Sequence, residues 1–446
     1  MSGIGLPAGF GVALDPRLRR LEDGRVLIGG SPPRLLRLSD AGARAVDRLA
    51  AGAAVPAAGG GTAALARRLV AAGMAHPRPP RPPFAAPHAR VAVVIPVRDR
   101  PAELARALAG LGAVAEVVVV DDGSADARAA ARVAADAGAR LVRAPRPEGP
   151  AAARNRGLRA TSAPLVAFVD SDCELGPGWL DGLLPHLDDP AVGLVAPRVA
   201  APAAASGDGL LARYERVRSP LDMGARESAV AEGAAVPYVP AAVLLVRREA
   251  ALAAGGFDER MRVGEDVDFV WRLVTAGWLA RYEPAVEVLH APRTRLRDWL
   301  GRRAAYGSSA AALARRHPGR LAAIRLHPAA ALGWGLLLAG RPLSAGALGA
   351  VGTLRLARRL GPLEHPWREA ARLTAAGQGA TAGALAAQLA RTWWPAAVLA
   401  AALAPRTRRP LVAAAVLPAL LDWGRRRPDL DPLLYCGLHL LDAAAY

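Results

Sequence analysis

Two short acidic stretches in this chain have the residue types and spacing to hold a divalent cation or a phosphorylated group. Asp121-Asp122-Gly123-Ser124 follows the apolar run Val117 to Val120, and Asp170-Ser171-Asp172 follows Leu165 to Val169. Carboxylates spaced i, i+2 at a strand end can share one cation, and Mg2+ or Mn2+ takes such oxygen ligands while also binding a diphosphate. Asp, Ser and Gly are ordinary loop residues too, so either stretch alone reads as a turn. Two of them in order, each behind an apolar strand, favour chemistry. A third stretch, Gly264-Glu265-Asp266-Val267-Asp268-Phe269, leads into Trp271-Arg272-Leu273. Its acids suit the positive end of a helix, and one of them facing a cleft could act as a general base.

The elements around these residues set where they must lie. Val91-Ala92-Val93-Val94-Ile95 is a continuous apolar run, which predicts a strand covered on both faces. A helix from about Pro101, a strand Val117 to Val120, a helix Ala125 to Ala137, a strand Leu141-Val142, a helix Pro150 to Ala160 and a strand Leu165 to Val169 follow. Strands alternating with helices predict a mostly parallel α/β sheet, whose ligands bind beyond the carboxyl ends of the strands. Before it, strands at Gly11 to Leu14 and Arg25 to Ile28, a helix opened by Ser39-Asp40 and a second helix ending at Gly73 predict a small α+β, winged-helix-like module over residues 1–76. A proline-rich linker over 77–88 separates it from the α/β domain, residues 89–300.

Residues 301–446 are rich in Ala and Leu and predict an all-α region. Only the uncharged run Leu373 to Ala390 approaches the ~20 residues that a bilayer span needs, and Thr, Gln and Gly dilute it. Short or re-entrant membrane helices and the buried helices of a bundle both fit. The chain has 57 basic and 39 acidic residues, a net charge of +18, and every basic residue is arginine. Arginines flank the apolar runs, as at Arg315-Arg316 and Arg406 to Arg409, a pattern of cytoplasmic membrane flanks. The expectation is therefore membrane contact through residues 326–421 at the cytoplasmic side of the cell membrane, multi-pass at the extreme, with a solvated arginine-rich surface as the plain alternative. No Cys/His finger or aromatic-rich basic strand points to nucleic acid. Two cysteines, Cys173 and Cys436, exclude a disulfide framework and a Cys-rich zinc site, and a 52% hydrophobic content excludes wholesale disorder. The first 20 residues lack the charged start and apolar core of a signal peptide.

The segments VVIPVRDRP (93–101), VVVDDGS (118–124), GPAAARNRGL (149–158), FVDSDCEL (168–175), GGFDE (255–259), GEDVDFVWRLVTAGW (264–278) and VEVLH (286–290) resemble, in order, those of the family 2 glycosyltransferases of GT-A fold. The resemblance implies a metal-dependent, inverting transfer from a nucleotide sugar. It implies that Pro96 and Asp122 line the nucleoside pocket, and that Arg154 and Asn155 face the uracil or diphosphate. Asp170 would touch ribose or metal, Asp172 and His290 would ligate Mg2+ or Mn2+, and Asp266 would deprotonate the acceptor. For His290 a structural strand-end histidine is the plain alternative. A Gln-x-x-Arg-Trp motif of processive members is absent; only Arg297-Asp298-Trp299 lies nearby.

The stretch DPRLRRLEDGRVLIGGSPPRLLRLSDAGARAVDRL (15–49) and the proline-rich segment after it resemble the N-terminal extension of the mycofactocin-system glycosyltransferases of actinobacteria. That extension is similar to PqqD-like peptide-binding modules. The narrower resemblance implies UDP-glucose as donor, a ribosomal-peptide-derived redox cofactor precursor as acceptor and a short β-1,4-linked oligosaccharide as product. An edge strand near Val26 to Ile28 is the expected place for an extended peptide to pair. Two other readings stand beside this one: a family 2 transferase acting on a polyprenyl phosphate or cell-envelope glycan, and a non-catalytic scaffold binding nucleotide sugar or peptide.

Overall fold

Leu27, Val46, Leu49, Leu69 and Met74, all fully buried, form the centre of the first folded module in the computed structural model. The structure describes residues 5–57, 60–80, 87–204, 208–292, 294–321, 327–361 and 363–446. The module consists of β1 (Gly11–Leu14), β2 (Arg19–Leu21), β3 (Val26–Gly29), β4 (Arg34–Arg37), α1 (Asp40–Ala50), α2 (Gly60–Ala71) and β5 (Ala75–Arg78). Ser39 caps α1 by accepting from the Gly42 N–H at 3.2 Å. β1 pairs antiparallel with β5, and β2, β3 and β4 form a three-stranded antiparallel sheet.

Five strands replace the two expected, because β2 (RRL), β4 (RLLR) and β5 (AHPR) mix arginine, histidine or proline into three or four residues and show no apolar run. Val26 to Ile28 is not an edge: β3 is flanked by β2 and β4, so its main-chain groups are already paired. Pro77 and Arg78, expected in the linker, lie in β5 opposite Val12 and Gly11. Linker residues 81–86 fall outside the described residues.

The α/β part follows as β6 (Val91–Val97), α3 (Pro101–Ala109), β7 (Glu116–Asp121), α4 (Ala127–Asp136), β8 (Arg140–Arg143), α5 (Pro150–Ala160), β9 (Leu165–Val169), β10 (Cys173–Leu175), α6 (Trp179–Leu183) and β11 (Val192–Ala200). After α7 (Leu210–Arg218) come β12 (Ser228–Ala229), β13 (Val243–Arg247), α8 (Arg248–Ala253), α9 (Glu265–Thr275) and β14 (Leu279–His290). The sheet runs β10-β14-β11-β13-β9-β6-β7-β8, with β12 on β14. Its half β9-β6-β7-β8 is wholly parallel, whereas β13 enters antiparallel to both β9 and β11. Val93 and Ile95 pack on one face and Val94 on the other, which explains the continuous apolar run of β6.

The first module is anchored to the α/β part by polar contacts. Arg67 makes a bidentate pair with Asp189 at 2.6 and 2.8 Å, and Arg78 pairs bidentately with Glu227. Beside Glu227, the buried Arg281 guanidinium has no hydrogen-bond partner among the described residues, and the Glu227 carboxylate is 3.9 Å away. Burial pushes Arg281 down to about 10 against the pull of Glu227 and Glu283.

The second compact unit comprises residues 204–217 and 293–446. It is helical: α7 with α10 (Leu296–Arg316), α11 (Pro328–Leu338), α12 (Pro342–Arg359), α13 (Pro366–Arg391), α14 (Trp394–Leu403), α15 (Arg408–Arg426) and α16 (Pro432–Ala445). Tyr214, Trp299 and Tyr435 pack at its centre, and Arg303 sits between Glu215 and Asp442.

Among the described residues no helix is long and apolar enough to cross a membrane, which overturns the multi-pass expectation. The apolar helices α11 and α14 have 11 and 10 residues, about 16 Å against a hydrocarbon core of about 30 Å. The 26-residue α13 is long enough, but Arg368, Glu369 and Arg372 charge its first turns, and Thr, Gln and Gly dilute its uncharged run Leu373–Ala390.

Gly157 lies where α5 crosses the sheet. A Cβ there would come within 2.2 Å of Val94 Cγ1 and 3.2 Å of Val120 Cγ2, both buried. Gly157→Ala is expected to lower unfolding stability by about 1–3 kcal/mol, the usual cost of overpacking. A urea or thermal melt checks this; an unchanged transition would show that α5 is not seated so closely.

Candidate active site

Register in the parallel half of the sheet brings the first candidates to one end. Val94 pairs with Phe168 and Pro96 with Val120. Asp170, two residues beyond Phe168, is therefore level with Pro96, and Asp122 emerges just past β7. Asp122 is buried, and its two carboxylate oxygens accept from the Glu148 and Gly149 N–H groups at 2.8 and 2.9 Å. It braces the turn that starts α5 and keeps lone pairs for a further donor. Asp121 points elsewhere, to Arg143 and the Ser124 N–H.

Arg154, on α5, is the charge around which the opposite side is arranged. Its guanidinium is buried and donates to Asp170 Oδ1 at 2.6 Å and to Glu265 Oε1 at 3.0 Å. The carboxylates outweigh the burial and keep Arg154 charged. It therefore ties the end of β9 to the first turn of α9. Asn155 does not reach the cleft as expected. Its amide receives the Phe257 N–H at 2.8 Å and donates to the Phe257 carbonyl at 2.7 Å and Glu259 Oε1 at 2.9 Å. That clamp needs Gly256, with φ +66°, because a Cβ there would lie 2.5 Å from Asn155 Oδ1.

Asp266 stands next to this arrangement. One of its oxygens accepts from the Ala241 N–H at 3.3 Å, and the following residue, Ala242, receives the Asp170 N–H at 2.8 Å. Two consecutive residues before β13 thus link Asp266 to the Asp170-Ser171-Asp172 turn. Cys173, directly after that turn, pairs with His290 in the β10–β14 ladder. His290 Nε2 then lies 3.5 Å from Asp172 Oδ2, and Arg100 donates to the same oxygen at 2.5 Å. Burial alone would raise the Asp172 carboxyl, but the His290 and Arg100 side chains hold it well below the usual carboxylate range. Cys173 is fully buried and its thiol is pushed far up, mainly by burial, so it is a packing residue.

One carboxylate and one imidazole make a donor set suited to Mg2+ or Mn2+, and such ions commonly complete their coordination with phosphate oxygens and water. No group of three or more His, Cys, Asp or Glu side chains with that arrangement occurs among the described residues, since Asp170 turns to Arg154. Asp172 and His290 are the side chains here that would hold such a cation.

The chain is 42% identical over 459 aligned residues to a pre-mycofactocin glycosyltransferase of Mycobacterium tuberculosis, covering all of this chain and 95% of that protein. It belongs to the mycofactocin-system glycosyltransferases. Residues 92–249 also match the model of glycosyl transferase family 2. The family's GT-A fold accounts for the mixed sheet and for the position of the cleft at its carboxyl end. Succinoglycan biosynthesis protein ExoU of Rhizobium meliloti is 32% identical over 205 residues, 43% of this chain and 58% of that protein. Among solved structures, a Pyrobaculum calidifontis mannosyltransferase in complex with GDP-Man and Mn2+ aligns with a TM-score of 0.38 at 20% identity, covering 64% of this chain and 84% of that one.

Sequence reasoning missed Glu265 and Arg100. Glu265 reads as one of three helix-opening acids, and only the fold shows that it turns inward to Arg154. Burial, joined by the Asp266 charge, pushes Glu265 up to about 7 against the pull of Arg154. A carboxyl whose folded pKa is raised contributes stability that is full below its unfolded value near 4.5 and is lost as pH rises through 7. Glu265→Gln removes that loss. The variant should therefore gain stability relative to the parent between pH 5 and 8, by about 1–3 kcal/mol. Melting temperatures across that range test it; a difference that is flat with pH would show that Glu265 stays ionised throughout.

Proposed function

We propose that this protein transfers glucose, with inversion, from UDP-glucose to a ribosomal-peptide-derived redox cofactor precursor, and that repeated transfers build a short β-1,4-linked oligosaccharide. The observation that carries the catalytic reading is the link through Ala241 and Ala242, which sets Asp266 beside the Asp170-Ser171-Asp172 turn. The full-length likeness to a pre-mycofactocin glycosyltransferase supports the acceptor. UDP-glucose and the β-1,4 linkage rest on the family resemblance.

An acceptor hydroxyl is a weak nucleophile and needs a base placed in line with the sugar's anomeric carbon. Asp266 serves as that base: it takes the hydroxyl proton as the new glycosidic bond forms and the bond to the diphosphate breaks. One base and no covalent sugar intermediate give inversion. Asp170 and Arg154 hold the ribose and diphosphate side in register, and Pro96 and Asp122 border the nucleoside. Asp172 and His290 would hold a divalent cation, which when bound would supply positive charge against the departing diphosphate. An extended acceptor peptide would meet the N-terminal sheet at β2 or β4, since β3 is covered.

The purified protein, incubated with several nucleotide sugars, Mn2+ or Mg2+ and the peptide-derived acceptor, should give a ladder of hexose additions with UDP-glucose, and EDTA should abolish it. Asp266→Asn should retain UDP binding and lose about 10²–10⁴-fold in turnover. Equal turnover would remove Asp266 from the mechanism. Sugar partitioning into a lipid product would instead favour the polyprenyl phosphate acceptor.

The second unit also supports contact with a membrane surface, lying on it rather than across it. α14 has no buried residue; Trp393, Trp394, Val398, Leu399 and Leu403 are exposed, and Arg406, Arg408 and Arg409 follow. Short apolar helices rimmed by Trp and Arg suit the interfacial zone of an anionic bilayer. The protein should float with vesicles containing anionic phospholipid in a density gradient, and Leu399→Glu with Leu403→Glu should abolish this; flotation unchanged by the pair would place the contact elsewhere.

A further inference from the structure

Arg100 is the residue at N-cap of α3, and its side chain makes no cap hydrogen bond. It reaches instead from the end of β6 to the Asp170-Ser171-Asp172 turn at the end of the neighbouring β9 and donates to Asp172 Oδ2 at 2.5 Å. This is the oxygen that faces His290 Nε2 at 3.5 Å. The segment that carries Arg100 is itself fixed. The Asp99 N–H is 2.9 Å from Ser124 Oγ, and Asp99 Oδ1 receives the Ala125 N–H at 2.7 Å, with Asp99 held at φ 54°. Backbone strain of this kind in a non-glycine residue persists only where its surroundings determine it. The arginine is thus presented to the turn from a braced loop, and its side chain is half-exposed.

A guanidinium and a divalent cation at one carboxylate carry like charge, so they repel one another and compete for it. We infer that Arg100 is a positioning residue that competes with the divalent cation for Asp172 and, once displaced, turns to the nucleotide's diphosphate. The inference rests on the reading of Asp172 and His290 as the metal site. Its consequence is cooperativity. Metal alone must displace Arg100 and gains no new partner for it, so it binds weakly. Metal with a diphosphate gives the displaced guanidinium an anion that it can grip in two places. Each ligand therefore strengthens the other, and by linkage the gain is equal in both directions.

The test is direct Mn2+ binding, read from the electron paramagnetic resonance signal of the free ion, with and without UDP. It is applied to the parent protein, Arg100→Met, Arg100→Lys and Asp172→Asn. Arg100→Met should bind Mn2+ alone about tenfold more tightly than the parent, the worth of one charge-assisted hydrogen bond. It should also lose most of the tightening that UDP brings. Arg100→Lys retains a cation at the turn and should stay near the parent. Mn2+ binding to Arg100→Met that is equal to or weaker than the parent's would overturn the inference. Parent-like binding by Asp172→Asn would instead overturn the metal site itself, so the two failures are distinguishable.

Discussion

A single buried guanidinium governs the geometry of this cleft. Arg154 is almost without solvent, and a bare cation in that place would be untenable. It persists because Asp170 from β9 and Glu265 from α9 both close on it. The dependence is mutual, since each acid is taken from water on the strength of the same charge. Elements far apart in sequence, the middle of α5, the end of β9 and the start of α9, are thereby held together. Asp266 inherits its position from this contact, being the residue after Glu265. The neighbouring Asn155 clamps the loop around Phe257, whose ring lies 5.4 Å from the Arg154 guanidinium carbon. Two successive residues of one helix, Arg154 and Asn155, thus place both the start of α9 and the loop that precedes it.

The opposite side of the cleft depends on strand register. Because β6 pairs in parallel with both β7 and β9, whatever follows those strands must emerge at the same end. Asp122 and the Asp170-Ser171-Asp172 turn meet there for that reason alone. The antiparallel β13 carries Ala241 and Ala242 to the same edge from the other direction, and the β10–β14 ladder returns His290 to it. A residue more than 100 positions away in sequence becomes a neighbour of Asp172 through one cross-strand pair. Asp122, Asp172, His290 and Asp266 are thus positioned by the ends of strands and a helix rather than by a long loop, which keeps their spacing fixed.

Much of this was legible because the α/β part obeys simple rules. The helix Pro150–Ala160 and the strand Leu165–Val169 lie where proline, periodicity and β-branched runs put them. The acidic turns are found by type and by their place after strands. What periodicity cannot show is direction. Asp266 and Glu265 are adjacent acids on a helix of the same pattern, and only the packing of α9 decides which turns inward. Asn155 failed for a related reason: a polar residue near a helix start looks available until the fold supplies a partner, here the Phe257 backbone. The membrane-spanning expectation failed for two reasons: the apolar helices α11 and α14 are too short, and the long α13 is diluted by Thr, Gln and Gly.

The attachment of the N-terminal module obeys a different physics from the cleft. Its own core is closed, with Leu27, Leu69 and Met74 buried inside it, so it has little apolar surface left to offer the α/β part. The junction is instead made by Arg67 with Asp189 and Arg78 with Glu227. Glu227 cannot satisfy every cation near it. Held bidentately by Arg78, it stays 3.9 Å from Arg281, whose buried guanidinium bears the desolvation cost without a hydrogen bond. The module is thus held through two carboxylates, and for one of them, Glu227, a buried arginine of the sheet also competes. Ion pairs with this division of partners give direction and register more than adhesion.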